Sequence, residues 1–386
     1  MAKVTMATRK EIIMKQRAAY YKATKKGKGE ILDSICMSTG LSRDRAKHLM
    51  IEGVKVSAAK NKRGRRAKYG TKVVKTLEKI WPHMDFACGK RLVAGMGDMV
   101  ESLRRNGEIC IDDETADMLK GMSASTADRL LKRAREGVCV KGKHSTKPGT
   151  LLKRDIPIRL GDEWDDSVPG YVEIDLVAHC GETTAGEYVN TLDVTDISTG
   201  WTETVAVVNK ARRHVFDALL VIRGRLPFPL RGIDSDNGGE FINAHLLHYC
   251  TENNICFTRS RPGRKNDNCH VEQKNWHVVR RNIGYGRYEG QEAVDTMNSY
   301  YSLLRLHGNF FMPQTKLVSK TRDGSRIRKK YDSPKTPYRR VLESEHVDGE
   351  AKAELERVFN SLNPVELQRE MASLLAKLET LAVGRK

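Results

Sequence analysis

Apolar positions recur at helical spacing near the start of the chain. Ile31, Leu32 and Ile35 form a stripe, Gly40 interrupts it, and Ala46, Leu49 and Met50 resume it after Ser42, a residue type that caps helices. The spacing predicts two short helices joined by a glycine turn, the helix-turn-helix pattern. Arg43, Asp44, Lys47 and His48 then face outward from the second helix, where base edges and phosphates are reached. A second unit of the same kind is predicted over 111–137, capped at Asp112 or Asp113 and turning at 121–123. Its last helix buries Ala127, Leu130, Leu131 and Ala134 and shows Arg129, Lys132, Arg133 and Arg135. Each unit also reads as a plain helical hairpin with a solvated basic face.

The pattern changes from residue 169. Segments 171–179, 186–196 and 200–208 are rich in β-formers and separated by short glycine-containing breaks, as in consecutive antiparallel strands. A helix over 211–224, a strand over 230–236, a helix over about 240–253, a strand over 255–259 and a further helix from about 267 follow. Three strands and then alternating helix and strand predict an α/β domain with a mixed sheet. Residues 316–340 are basic and turn-rich. From 348 to 383 two amphipathic helices are broken at Asn363-Pro364, with Leu367, Met371, Leu374, Leu375, Leu378 and Leu381 on one stripe. That face is covered either by the chain's own core or by the same helix of a second protomer.

The expected organisation is multidomain. An all-α region holds a helix-turn-helix with a basic arm (1–70) and a second helical unit (71–140). A basic linker (141–168), a five-stranded α/β domain (169–308), a basic region (309–345) and terminal helices (346–386) complete it. Charge sharpens this division. The net charge is +19, and +14 of it falls in residues 1–70, which hold 19 Lys and Arg against 5 Asp and Glu. Such an excess fits a polyanion, nucleic acid before a membrane surface. The arm at 61–70, with Arg63, Arg65 and Arg66, can enter a minor groove or serve as a soluble linker. No apolar run approaches a membrane span, no secretory leader is evident, and eight cysteines occur without a CxxC pair, so a reduced cytoplasmic, nucleoid-associated protein is expected.

Three acids stand out by position. Asp175 sits inside an apolar strand, where an unpaired charge is expensive. Asp236 ends a strand and runs into Asn-Gly-Gly, at the edge where open α/β sheets place their sites. Glu272 lies early in a helix after a polar stretch. Convergent carboxylates repel unless neutralised, and hard divalent cations neutralise them with oxygen ligands. Two such ions support in-line phosphoryl displacement.

Thirty-five residues separate Asp236 from Glu272, and the phrases EIDLV, IDSDNGGEF and NDNCHVEQKNW surround the three acids. These motifs, with VRRNIGYGRYEG and YDSPKTPYRRVL beyond them, resemble the DD-35-E core of retroviral integrases and bacterial insertion-sequence transposases over about 170–340. The resemblance implies a ribonuclease-H-like fold, and Asp175, Asp236 and Glu272 as catalytic metal ligands. It further implies Mg2+ or Mn2+, two ions per site, and cutting and joining of DNA ends by a DDE transposase. Asp236, the acid before Asn-Gly, matches the second motif rather than Asp234. The HHCC zinc module of retroviral integrases has no counterpart in the ligand spacing here, which favours the bacterial branch with end-binding helices. The expected partners are duplex DNA, at the element ends and the target, and further copies of the chain; no membrane and no small-molecule substrate is expected.

Rival acids are Glu173, on Asp175's strand face, Asp193, on the next strand, and Glu240, read as an acid at a helix N-terminus. His270 and His277 read as substrate contacts or solvated side chains, Lys274, Arg280 and Arg281 as phosphate contacts, and Cys250, Cys256 and Cys269 as buried small hydrophobes. The competing functions are a non-catalytic DNA-binding regulator with a relic core and a plain ribonuclease-H-type nuclease.

Overall fold

A computed structural model describes residues 5–53, 68–136, 167–236, 238–260, 269–323 and 326–384. Arg63, Arg65 and Arg66 and most of the expected linker lie outside the described residues. The chain divides into two compact units, residues 1–68 and 69–386.

The first unit is three helices, α1 (Met6–Lys22), α2 (Lys25–Thr39) and α3 (Arg43–Glu52). Gly40 ends α2 in the left-handed conformation with φ +69°, and the Ser42 side chain accepts from the Arg45 amide to start α3. Ile13 and Tyr20 of α1 close over Leu32, Ile35, Ala46 and Met50. Helix α1 is absent from the sequence reading, because its apolar residues come in runs, Ile12 to Met14 and Ala18 to Tyr21, and form no single stripe.

The second unit begins with α4 (Thr71–His83), α5 (Gly89–Arg105), α6 (Asp113–Lys120), α7 (Ala124–Leu130) and α8 (Lys132–Glu136). These helices share one hydrophobic cluster with Trp201, Phe310, Tyr338 and Phe359, so they pack as part of the body that holds the sheet. Gly95 allows this closeness: a Cβ there would lie 2.6 Å from Met84 Cε and 2.8 Å from Pro313 Cγ.

The sheet contains β1 (Tyr171–Ala178), β2 (Asn190–Asp196), β3 (Thr202–Val207), β4 (Gly232–Ser235) and β5 (Cys256–Arg259) in the order β3-β2-β1-β4-β5. The first three strands are antiparallel, whereas β4 and β5 run parallel to β1. Strand alternation gives the sheet two unlike faces. Val172, Ile174, Leu192, Val194 and Ile233 pack under α9 (Arg212–Arg223) and α10 (Ala244–Glu252). The opposite face presents Glu173, Asp175, Asp193, Thr195 and Thr204. The mixed five-stranded sheet with flanking helices matches the ribonuclease-H-like core implied by the sequence motifs.

Over the polar face runs one nearly continuous helix in three parts: α11 (Cys269–Lys274), a π-helical turn (Asn275–Arg280) and α12 (Arg281–Ile283). The long α13 (Gly290–Phe311) follows. The basic region read as turn-rich forms an antiparallel ribbon, β6 (Leu317–Asp323) and β7 (Arg326–Tyr331), then α14 (Pro337–Glu343). The tail forms α15 (Gly349–Ser361) and α16 (Pro364–Thr380), separated where Asn363-Pro364 ends one helix and caps the next. The α16 stripe packs on α13, with Met371 and Leu378 buried beside Met297, Tyr300 and Tyr301. The chain's own core therefore covers this face, and the alternative of pairing with a second protomer through it is set aside.

Candidate active site

The ladders set three acids in a row across neighbouring strands. Asp193 lies opposite Asp175 in the β1–β2 pair. In the parallel β1–β4 pair, Glu173 matches Asp234 and Ile174 matches Ser235, so Asp236, the next residue, follows at the level of Asp175. Adjacent strands lie about 4.8 Å apart, which puts these carboxyls within each other's field.

Asp175 is half-buried and tied on both oxygens: the Leu176 amide donates to Oδ1 at 2.8 Å, and Asn275 Nδ2 donates to Oδ2. Burial pushes its carboxyl up to about 7, and the charges of Asp236 and Glu272 both add to that rise. Asp236 takes the Gly238 amide at 2.8 Å; burial raises its pKa and Glu240 raises it further. Helix α10 begins only at Ala244, so Glu240 sits in the turn beside Asp236 and not in the helix's first turn. Asp234 is fully buried within β4 and accepts from Thr258 Oγ1 at 2.6 Å.

Glu272 is exposed on α11. Its helix is fixed to the polar face from three sides. Glu173 Oε2 accepts the Val271 amide at 3.1 Å, Asn275 reaches Asp175, and Lys274 Nζ donates to Gln314 Oε1 at 2.7 Å. Glu173 thus holds the helix by its first turn, where amides lack intrahelical partners. Asp193 is buried, and the charge that acts on it most strongly is Lys274; burial drives the acid's pKa up and the amine's down, while each charge resists the other's shift.

Among the described residues, no group of three or more His, Cys, Asp or Glu closes to a metal-holding cluster. Asp175, Asp236 and Glu272 do stand close enough for the latter two to raise the first. All three offer oxygen donors, the kind that could hold a divalent cation. This is the chemistry Mg2+ prefers.

The expected DNA contacts have diverse placements. Lys47, Arg129, Lys132 and Arg133 are exposed. Arg43 pairs with Asp33, and His48 lies 3.1 Å from Glu52. Arg135 turns inward, pairing with Asp128 at 2.7 Å and stacking over Trp81. Three expected phosphate contacts are occupied by the fold instead. Lys274 reaches Gln314, Arg280 donates to the Ala178 carbonyl at 2.7 Å, and Arg281 pairs with Asp85. His277 lines a cavity of about 150 Å³ with Asp85, Arg91 and Arg305; its side chain is 37% exposed, and partial burial with the nearby cations lowers its pKa to about 4. The side chains of Cys269 and His270 lie outside the described residues; Cys250 is buried, whereas Cys256 is exposed. Sequence reading passed over the docking role of Glu173, although its parity with Asp175 pointed to the same face.

No family model matches the chain. Among solved structures, the catalytic core domain of BIV integrase aligns over 46% of this chain and 96% of its own, at 17% identity and a TM-score of 0.30. The catalytic core domain of HTLV-2 integrase, solved in complex with magnesium in a dimeric form, aligns over 39% and 93%, at 15% identity and a TM-score of 0.30. A much closer likeness is to "Uncharacterized protein y4rM" of Sinorhizobium fredii (strain NBRC 101917 / NGR234), 38% identical over 342 residues, or 88% of this chain and 96% of the relative. With that identity sustained along nearly both full lengths, the chain belongs to the family of y4rM.

Proposed function

We propose that this protein is a DDE transposase of an insertion sequence, which binds the element's terminal inverted repeats and cuts and joins DNA ends. The observation that best supports the reading is the register that sets Asp236 at the level of Asp175 on the neighbouring strand, where burial raises the Asp175 carboxyl and the charges of Asp236 and Glu272 add to that rise. Thirty-five residues separate the last two acids, as in the integrase-type motif.

Asp175, Asp236 and Glu272 would hold Mg2+ or Mn2+, two ions in the full site. Bound there, the ions supply activation of a water or 3′-hydroxyl nucleophile and stabilisation of the leaving oxygen. The chain's own residues do the rest. Asn275 orients Asp175, Glu173 seats the helix that presents Glu272, and the Gly238 amide steadies Asp236. The three-helix unit and the exposed Arg129, Lys132 and Arg133 supply cations for the DNA backbone. In a multimer on DNA, two such sites would process two ends.

The deciding experiment begins with the DNA flanking the gene. Inverted repeats found there are placed on a labelled duplex with the full-length protein and Mg2+. Nicking at the repeat boundary, followed by joining to a second duplex, is the expected result. Uniform degradation without boundary cleavage would point to a plain nuclease, and repeat binding without any cutting to a regulator.

A further inference from the structure

Among the described residues the β6–β7 ribbon is a two-stranded element with no third strand. Its residues 316–331 carry seven Lys or Arg against one Asp. Isolated two-stranded hairpins are marginal in water, and like charges set opposite one another weaken them further. Here Lys320 is the register partner of Lys329, while Arg328 and Lys330 sit opposite Thr321 and Ser319 on the other parity of the pleat. Cationic positions therefore occupy both faces. Arg328, Lys329 and Lys330 are exposed, and among the described residues no carboxylate pairs with them. Val318, 61% exposed, and Tyr331, 50% exposed, leave the ribbon without an apolar cover.

The root is built quite differently. Gln314 and Lys335 exchange backbone hydrogen bonds at 2.8 and 3.0 Å, Asp332 receives the Lys316 amide at 2.6 Å, and Arg340 grips Asp332 at 2.7 Å. Lys316 Nζ donates to the Ser198 carbonyl in the β2–β3 turn at 2.6 Å. Gln314 is also the residue that receives Lys274 from the helix carrying Glu272. A firmly rooted arm thus projects a self-repelling cationic ribbon from a base one hydrogen bond away from the catalytic helix.

We propose that this ribbon is a second DNA-binding element, which lies in the major groove of duplex DNA passing the active site and neutralises its phosphates. The inference rests on the reading of the protein as a DNA-processing enzyme. Seven residues of strand span about 23 Å, and the major groove admits a two-stranded ribbon. A polyanion would remove the repulsion between the strands.

The test compares the full-length native chain with an Arg328→Ala, Lys329→Ala, Lys330→Ala variant, titrating a mixed-sequence duplex at several salt concentrations. Loss of three phosphate contacts should flatten the slope of log K against log salt by about 2 to 3 and weaken binding about tenfold or more. In a second arm, a photo-crosslinking residue replaces Val318 in the otherwise native chain, so that a misfolded variant cannot mimic the result; crosslinks to the duplex are expected. Equal slopes for native chain and variant, or no crosslink from position 318, would overturn the ribbon's role while leaving end cleavage intact. Failure of the native chain to bind any duplex would overturn both this proposal and the enzyme reading beneath it.

Discussion

Asp175 and Asp193 are register partners on adjacent strands, yet their carboxyls have different neighbours. Asp175 takes hydrogen bonds from Leu176 and Asn275 and feels the charges of Asp236 and Glu272. Asp193 is buried beside Lys274, and its Oδ2 has no hydrogen-bond partner among the described residues. The pairing thus sets an acid among other carboxylates opposite an acid beside an amine.

Asp175→Asn, Asp236→Asn and Glu272→Gln should each remove detectable cutting and joining while leaving duplex binding near the native level. Asp193→Asn should retain both, because it keeps the shape of a side chain that faces Lys274. The check is a strand-transfer assay beside a binding titration. Activity surviving in Asp236→Asn but lost in Asp234→Asn would show that the second acid has been misassigned.

Acid should unfold the second unit through its buried histidines. Burial, with Arg280 adding to it, holds His179 down to about 3, and burial holds His307 down to about 4. An unfolded histidine titrates near 6.5, so both folded values are depressed. Their stabilisation is full above that pH and is lost as pH falls toward the folded values. At pH 5 the loss is about 2 kcal/mol per histidine. His307→Gln should shrink the drop in unfolding free energy between pH 7 and 5 by about that amount, as read by urea titration. An equal drop in the two proteins would mean that His307 is charged when folded.

Leu378, 1% exposed, lies in the seam between α16 and α13. Leu378→Ala should lower the unfolding free energy by about 2–5 kcal/mol. Light scattering of the folded fraction should give the same mass as for the native chain. Dissociation of an oligomer without loss of stability would show that the stripe serves a second protomer after all.

In the three-helix unit, Lys47 is exposed, whereas Arg43 is engaged with Asp33 and with the Gly29 carbonyl. Lys47→Glu should therefore weaken binding to the terminal repeat without altering the thermal unfolding of that unit. Arg43→Glu should lower both. A gel-shift titration and a melting curve on the full-length protein separate the two effects.

The strands of the sheet could be read from sequence because alternating β-branched residues on β1, β2 and β3 sit between glycine breaks. The acids could be read because their spacing and neighbouring phrases are local. Helix α1 escaped because its apolar residues come in two consecutive runs that mark no one face, and the partners of Ile13 and Tyr20, such as Leu32 and Met50, lie further along the chain. The ribbon escaped because Lys, Arg and Ser with a central Asp-Gly look like a loop when no face is apolar. Lys274, Arg280 and Arg281 read as phosphate contacts because sequence shows their charge and not their partners. Whether a cation meets a phosphate or a carbonyl depends on contacts such as Gln314, Ala178 and Asp85, which lie far away in sequence.

The π-helical turn at Asn275–Arg280 gives the helix that carries Glu272 one spare residue. Such a turn holds one residue more than a regular α-turn, so it behaves as an insertion accommodated without breaking the helix. Deleting a single residue between Asn275 and Arg280 would let the turn close to regular α-helix, with the start of α11 and the residues after the turn near their present places. Adding one residue would instead swing everything beyond by about 100°, and Arg281 would leave Asp85. The helix should therefore tolerate the loss of one codon inside the turn far better than the gain of one.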